Sequence, residues 1–145
     1  RRKDQERVYE AVAILAQMIP NVAFATVPHK QRVYYMGLAN VLRQPEFQSN
    51  PVLASGVVEV LEDRLAGLLQ SVDIDDHVHY YIGDDHLLPQ IQSCSLMVRE
   101  YNITSHRGAG DTPQSQRGAI GILGPMRMDY GYNTVALELV ADLLS

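Results

Sequence analysis

The sequence predicts an α+β fold in which a mainly antiparallel sheet of about five strands is flanked by helices. Its periodic segments follow one another in the order helix, two strands, helix, three strands, helix. Because strands and helices do not alternate regularly, this order favours an antiparallel sheet over a doubly wound parallel one. The length of 145 residues suits a single domain, and 46% apolar with 20% charged residues is typical of a folded globular chain.

The N-terminal part predicts a helix followed by a hairpin. Pro20 ends the helix, since a proline disfavours helical geometry in the residue before it. Residues 22–27 and 32–36 are short and rich in β-branched or aromatic residues, with a Pro-His-Lys-Gln turn between them, and they are predicted to pair as a β-hairpin. The helix is predicted over residues 4–19, where apolar residues recur at helical spacing: Val8, Val12, Leu15, Met18 and Ile19.

The middle of the chain contains a broken segment and then the strongest helical pattern. Pro45 and Pro51 interrupt the segment after the hairpin, so we expect one helical turn around residues 39–43 and irregular backbone beyond it. Asn50 or Ser55 is placed to cap the long helix that follows. The apolar stripe of this helix consists of Val57, Leu61, Leu65, Leu68, Leu69 and Val72.

Three strands and a last helix are predicted in the C-terminal half. The strands cover residues 77–82, 94–101 and 119–123. The connection 102–117 is rich in Gly, Ser, Thr, Pro and Gln and has almost no large apolar residue, so we expect a mobile loop there. Asp129 is placed to cap the last helix, which is predicted to bury Tyr132, Val135, Leu139, Val140 and Leu143.

Composition and charge exclude several classes of function. The net charge is −5, so the chain has no general electrostatic attraction to nucleic acid or to an anionic membrane. The single cysteine, Cys94, cannot form an internal disulfide or a thiolate metal cage, which fits a reducing cytoplasm. No apolar run reaches the length of about 18 residues typical of a membrane helix. We expect a cytoplasmic domain without a membrane contact, and the initial Arg1 indicates a piece of a longer protein.

The segment 73–86 gathers carboxylates and imidazoles as a metal site would. In a strand His77, His79 and Tyr81 share one face, and two histidines at this spacing can chelate one ion. The pattern is equally typical of a strand with one solvent-facing side between acidic turns, and a metal site needs further ligands that the sequence does not specify. We therefore predict no metal site and no cofactor.

Catalytic motifs are absent from the sequence. Gly118, Gly121 and Gly124 bracket and interrupt a strand, whereas a phosphate-binding loop follows a strand and opens a helix. Gly121 is interpreted as a bulge or as a close approach of a neighbouring group. Ser95 beside Cys94 lacks the Gly-x-Ser-x-Gly sequence of a nucleophile elbow. The chain is predicted not to be an enzyme.

Two segments of the sequence resemble segments of one known protein family. Residues 121–130, Gly-Ile-Leu-Gly-Pro-Met-Arg-Met-Asp-Tyr, are similar to the Gly-(Val/Ile)-(Ile/Leu)-Gly-Pro-Thr-Arg-Met-(Asp/Arg)-Tyr sequence of the heat-inducible transcription repressor HrcA family. Residues 34–47 resemble its aromatic-x-x-Gly-x-x-Asn-(Leu/Val)-Leu-x-x-Pro-Glu-Phe segment, and shorter matches at residues 61–62, 82–85 and 93–95 keep the same order. The matching motif residues are Gly37, Asn40, Pro45, Glu46, Phe47, Gly124, Pro125, Arg127, Met128, Asp129 and Tyr130.

The resemblance implies a GAF-like fold and a role in repressing chaperone genes. In that family an N-terminal winged helix binds an inverted-repeat operator, and a GroEL-type chaperonin is thought to keep the repressor competent. We expect residues 1–145 to form a single regulatory and assembly domain that responds through dimerisation and chaperonin-linked folding stability. Operator DNA would be bound only through the missing winged helix.

The sequence departs from the family pattern at three places. Met126 stands where the family usually has Thr, and Asp84-Asp85 replaces a Glu-Asn pair. Family members often carry an inserted dimerisation domain in the GAF-like part, whereas only a few residues separate Val27 from Val33. If this insert is naturally absent, we expect the homodimer to use another surface.

An alternative function is that of a small-molecule receptor, since GAF-like folds often enclose a ligand between the sheet and the helices. An aromatic or guanidinium side chain can line such a pocket, although the same side chains can equally belong to the core or the surface. The candidates are Tyr34, Tyr35, Tyr80, Tyr81 and Arg127.

Overall fold

A computed structural model describes residues 2–28, 32–105 and 114–145. Its strands are β1 (Val22–Thr26), β2 (Val33–Met36), β3 (His79–Ile82), β4 (Cys94–Ser105) and β5 (Gln114–Pro125). Its helices are α1 (Arg2–Met18), α2 (Leu38–Leu42), α3 (Pro45–Gln48), α4 (Pro51–Glu59), α5 (Leu65–Ser71) and α6 (Tyr130–Leu144). The π-helical segment Val60–Arg64 joins α4 to α5, and two 3₁₀ turns, Gly83–His86 and Pro89–Ile91, lie between β3 and β4.

The five strands form one antiparallel sheet in the order β2-β1-β5-β4-β3. The predicted α+β fold with five antiparallel strands is confirmed, and the architecture is that of a GAF-like domain. None of the helices in the described part of the chain is long and apolar enough to cross a membrane.

The sheet separates two hydrophobic cores because successive side chains of a strand point to opposite faces. Helices α1 and α6 pack on one face and form the first core, which includes Val8, Val12, Leu15, Met97, Ile120, Ile122, Leu137 and Val140. The helical segments from α2 to α5 cover the other face and form the second core, which includes Phe24, Val57, Leu61, Leu65, Leu96, Val98 and Leu123.

Helices α1 and α6 run antiparallel on the first core. The predicted apolar residues Val8, Val12 and Leu15 of α1 are fully buried there, and α1 ends before Pro20 as predicted. Arg7 Nη2 donates to the carbonyl of Leu144 at 2.8 Å. A guanidinium at this position satisfies a free carbonyl and complements the negative end of the α6 dipole.

The prediction of the buried face of α6 is wrong. Of the five residues predicted to be buried, only Val140 is, and four large apolar side chains point outwards with exposed fractions of 51–63%: Tyr132, Val135, Leu139 and Leu143. The side of α6 that meets α1 and the sheet carries small residues, Ala136 and Ala141, beside Leu137. Helix α6 is therefore apolar on two faces, and periodicity alone cannot select the one that packs.

Two other element boundaries differ from the predictions. Residues 102–105 and 114–117, expected in a mobile loop, are paired strand residues of β4 and β5, while the rest of that connection lies outside the described residues. Their pairing is supported by Ile103, which is buried in the first core. The segment after Pro45, expected to be irregular, forms α3.

The helix caps and the central glycine follow the sequence. Asn50 Oδ1 accepts from the N–H of Leu53 at 3.0 Å and caps α4, so that Ser55 lies inside the helix. Gly121 lies in the middle of β5 with unbroken register on both sides, so it is not a bulge. A Cβ at this position would overlap the carbonyl oxygen of Met97 and the ring of Phe24, which confirms the predicted close approach.

Candidate functional site

The two motif segments meet at one end of the sheet, where β1 begins and β2 and β5 end. Gly37 follows β2 directly, Gly124 and Pro125 complete β5, and α3 contains the Pro-Glu-Phe sequence at residues 45–47. Phe47 inserts its ring into the second core and so fixes α3 on the sheet. We refer to the cluster formed by Gln44, Glu46, Asn21, Arg127 and their neighbours as the joint.

A guanidinium–carboxylate pair links the two motifs across the joint. Arg127 Nη2 donates to Glu46 Oε1 at 2.8 Å, and Arg127 Nε pairs with the other oxygen of the same carboxylate. The hydrogen bond from Arg127 lowers the pKa of Glu46, and it raises the pKa of Arg127 in turn. Arg127 Nη2 also lies 3.4 Å from Gln44 Oε1. This fork-shaped contact restricts orientation as well as distance.

The interior of the joint is organised around Asn21, which is buried. Gln44 Nε2 donates to the carbonyl of Pro20 at 2.5 Å and lies 3.4 Å from Asn21 Oδ1. A Cβ at Gly124 would overlap the Asn21 side chain, and a Cβ at Gly37, where φ is +93°, would lie 2.6 Å from the Asn21 carbonyl oxygen. Both motif glycines are therefore required by close backbone approach.

The motif residues after Arg127 begin α6 and hold its first turn. Asp129 Oδ1 accepts from the N–H of Tyr132 at 3.0 Å, which confirms the predicted cap. The Tyr130 hydroxyl donates to the Met126 carbonyl at 2.5 Å and lies 2.8 Å from the hydroxyl of the fully buried Ser95. The Met128 side chain is buried in the first core. Asn40 of α2 accepts from Arg43 Nη1 at 3.4 Å at the outer edge of the joint.

The groups considered for catalysis and metal binding have structural partners. Burial raises the pKa of the Cys94 thiol to about 12, which opposes formation of a thiolate. His79 Nε2 lies 2.7 Å from Asp75 Oδ1, whereas His77 is exposed before β3 begins. His86 is buried, with Nε2 3.1 Å from the Cys94 carbonyl. Residues 2–28, 32–105 and 114–145 contain no group of three or more His, Cys, Asp or Glu arranged to hold a metal ion.

The residues suggested for a ligand pocket are not brought together. Tyr34 and Tyr35 lie on opposite faces of β2, at one edge of the sheet, and the Tyr34 ring packs against Tyr9 at a centroid distance of 4.3 Å. Tyr80 and Tyr81 lie on β3 at the opposite edge, and the Tyr80 hydroxyl is 2.6 Å from Thr134 Oγ1.

A cavity that sequence reasoning missed lies at the other end of the sheet from the joint. Its volume is about 340 Å³, and it opens between α5 and strands β1, β5 and β4. Small or buried apolar residues line its interior, and Arg32, Glu100 and Arg117 line its mouth. The small residues at Ala66, Gly118 and Ala119 are the sequence feature that points to this space, but only the pairing of β4 with β5 brings them opposite α5.

Comparisons with known proteins agree with the motif geometry. The family model described as "HrcA protein C terminal domain" matches residues 1–132. The heat-inducible transcription repressor HrcA of Thermomicrobium roseum is 35% identical over 139 residues, covering 92% of this chain and 36% of that protein. The repressor of the same name from Brevibacillus brevis is 28% identical over 144 residues, covering 98% of this chain and 38% of that protein.

The chain thus spans somewhat more than a third of the length of these curated relatives. A crystal structure of a hypothetical protein shares the fold, with a TM-score of 0.75 at 10% sequence identity, over 98% of this chain and 69% of that one. The matched family model, the relatives and the convergence of the two motifs together show that the chain belongs to the HrcA C-terminal domain family.

Proposed function

We propose that this chain is the regulatory and assembly domain of a negative regulator of heat-shock gene transcription, and that it acts through dimerisation and folding stability rather than catalysis. The relatives are named heat-inducible transcription repressors, which supports the assignment to a transcription repressor. The observation that supports action through folding stability is the joint, because the residues of both motifs converge on a packed, ion-paired connection and not on a reactive cleft.

A joint of this kind makes the folded fraction sensitive to small perturbations. It connects α3 on one face of the sheet to the turn that starts α6 on the other, through the Arg127–Glu46 pair and the close contacts at Asn21. Domains are stable by only about 5–15 kcal/mol, and a change of about 1–2 kcal/mol alters the abundance of competent protein several-fold. A GroEL-type chaperonin that binds the unfolded chain would then set how much repressor is competent.

Contact with operator DNA is proposed to come from parts of the longer protein outside this chain. The net charge of −5 gives no electrostatic attraction to phosphates, and the relatives are almost three times as long as the matched segment. A fluorescence anisotropy titration of a labelled inverted-repeat operator with this chain is expected to show no binding at physiological salt. Specific operator binding by this chain would contradict the proposal.

The outward face of α6 is the surface proposed for the homodimer. Its four exposed apolar residues are spaced so that two antiparallel copies of α6 place Tyr132 opposite Leu143 and Val135 opposite Leu139. Such self-complementary spacing is what a two-fold symmetric interface requires. Burial of this face would remove apolar side chains from water, which is the main favourable term in association.

Sedimentation analysis of the 145-residue chain tests the dimer. Leu139→Glu is expected to convert the dimer to a monomer, because a carboxylate would be buried without a partner at the centre of the interface. Gln17→Glu, on the exposed side of α1, introduces the same charge on another helix and is the matched control. The dimer is expected to have a sub-micromolar Kd. A wild-type chain that is still monomeric at tens of micromolar, roughly a hundredfold above this Kd, would exclude the interface.

Refolding tests the link to a chaperonin. The unfolded chain is diluted from urea with and without a GroEL-type chaperonin and ATP, and the native yield is measured by protease resistance. We expect the chaperonin to raise the yield, and to raise it more for Arg127→Gln, which weakens the joint. Equal yields with and without the chaperonin for both chains would contradict this part of the proposal.

A second candidate function, ligand sensing, is supported by one observation, the cavity under α5.

A further inference from the structure

The cavity under α5 has an apolar interior. Its walls include the apolar side chains of Leu69 and Ile74, and its floor is formed partly by Ala66, Gly118 and Ala119, none of which extends beyond a methyl group. A volume of about 340 Å³ falls in the range of small-ligand sites. An interior of this size and polarity suits a flat apolar body of one or two rings.

Strand alternation explains why polar groups surround this apolar interior. Phe24, Val98 and Leu123 belong to the second core, so Thr26 and Glu100, two residues further along β1 and β4, face the same side of the sheet. The core ends at this level, and the cavity is lined by these polar side chains where it opens to solvent.

The mouth carries two guanidinium groups and one carboxylate. Arg117 Nε lies 3.6 Å from Glu100 Oε1, and Asn102 Nδ2 donates to the same oxygen at 3.3 Å. The Glu100 side chain is only 18% exposed, whereas the Arg117 side chain is 76% exposed and accessible from solvent. A guanidinium has five N–H donors, and the contact through Nε leaves Arg117 donors for a ligand.

Local charge selects the sign of the ligand. Arg32 and Arg117 together exceed the charge of Glu100 by one unit at the mouth, in a chain whose net charge is −5. Planar guanidinium groups match carboxylate and phosphate oxygens in a two-point contact.

We propose that the cavity under α5 binds a small organic anion, with an aromatic or other flat apolar body beneath α5 and a carboxylate or similar group between Arg32 and Arg117. This site lies at the opposite end of the sheet from the joint and does not depend on the proposed dimer or on the chaperonin.

A matched pair of probes tests both parts of the site. We would titrate the 145-residue chain with 2-naphthoate and with the neutral 2-naphthamide, which has nearly the same shape. The chain contains no Trp, so naphthalene fluorescence can be excited without a protein tryptophan background. We expect saturable binding of one 2-naphthoate per chain, with an affinity at least about tenfold higher than that of the amide.

Three variants locate the binding. Arg32→Gln and Arg117→Gln are each expected to weaken the binding of 2-naphthoate at least about tenfold and to leave the binding of the amide nearly unchanged. Ala66→Leu places extra methyl groups in the interior and is expected to remove binding of both probes. Arg43→Gln removes an exposed guanidinium near the joint and is the matched charge control, with unchanged binding expected.

Thermal melting of each variant shows that it is folded, and an increase in the melting midpoint with 2-naphthoate concentration gives a second readout of binding. Equal affinity for the two probes, unchanged binding by both arginine variants, or no saturation up to roughly 10 mM would overturn the proposal. Loss of binding in Leu139→Glu with retention in Ala66→Leu would also overturn it, because the probe would then occupy the apolar face of α6.

Discussion

Removing the Arg127–Glu46 contact is expected to lower stability by a measurable and pH-dependent amount. The Arg127 side chain is 62% exposed and that of Glu46 is 29% exposed, so solvent screens the pair. Exposed ion pairs contribute about 0.2–1 kcal/mol, and the fork-shaped geometry places this one near the upper end, at about 1 kcal/mol. For a domain of this size, a loss of about 1 kcal/mol corresponds to a decrease of about 3 °C in Tm.

A double-mutant cycle measures this coupling directly. Urea unfolding of the wild type, Arg127→Gln, Glu46→Gln and the double variant, followed by circular dichroism, gives the coupling free energy from the non-additivity of the two changes. Because the folded-state pKa of Glu46 lies below its unfolded value, its contribution is complete above the unfolded pKa, near 4.3. The contribution is lost as the pH falls through the folded pKa.

The cycle is therefore expected to show coupling of about 1 kcal/mol at pH 7, less in high salt, and almost none once Glu46 is protonated. Arg64→Gln, which removes an exposed guanidinium from the π-helical segment, is the control and should change stability by no more than about 0.5 kcal/mol. Coupling below about 0.3 kcal/mol at pH 7, or coupling that persists unchanged in acid, would refute the assignment of the joint as an electrostatic connection.

Three further predictions concern the buried core. In a urea titration, Gly121→Ala should lower the free energy of unfolding by about 3 kcal/mol, because the new Cβ meets a backbone carbonyl that cannot move aside. Gly67→Ala, in open space within α5, is the control and should raise the free energy of unfolding by about 0.5–1 kcal/mol. Burial raises the pKa of the Cys94 thiol to about 12, so this thiol should resist a thiol reagent at pH 8 in the native chain and react fully in urea. Rapid reaction of the native chain would contradict the burial of Cys94. Tyr130→Phe should lower the free energy of unfolding by about 1–2 kcal/mol, because it leaves the buried Ser95 hydroxyl without this partner. Adding Ser95→Ala to this variant should lower it little further, and additive losses would exclude coupling between the two side chains.

Local patterns predicted most of the elements, because those elements obey one dominant periodicity. The stripe of α1 has a single apolar face, and Pro20 marks its end. The hairpin of β1 and β2 consists of two short segments rich in β-branched and aromatic residues, which pair antiparallel. Asn50 and Asp129 cap their helices through side-chain oxygens, as their positions before helical patterns predicted.

Features that depend on tertiary contacts were missed. Residues 102–105 and 114–117 are polar enough for a loop, yet they pair because β4 and β5 continue an established ladder. The joint needed the contact of Arg127 with Glu46, which are far apart in sequence, so the motif analysis identified these two residues without predicting that they touch, and it did not single out Asn21. The cavity under α5 was missed for the same reason, since its residues come from four separate elements.

Helix α6 gives the strongest argument for an additional surface. Its inner face buries Ala136, Leu137 and Ala141 against α1 and the sheet, while four large apolar side chains on its outer face remain in contact with solvent. A helix that is apolar all round is typical of a buried position, and a contiguous exposed apolar face marks an interaction surface. The misprediction of the packed face thus has a physical origin, because the larger apolar side chains of α6 stay exposed while the smaller ones pack in the domain's own core. This division of the helix directs the mutational analysis of the proposed dimer to Leu139, which lies on the exposed apolar face, rather than to the joint.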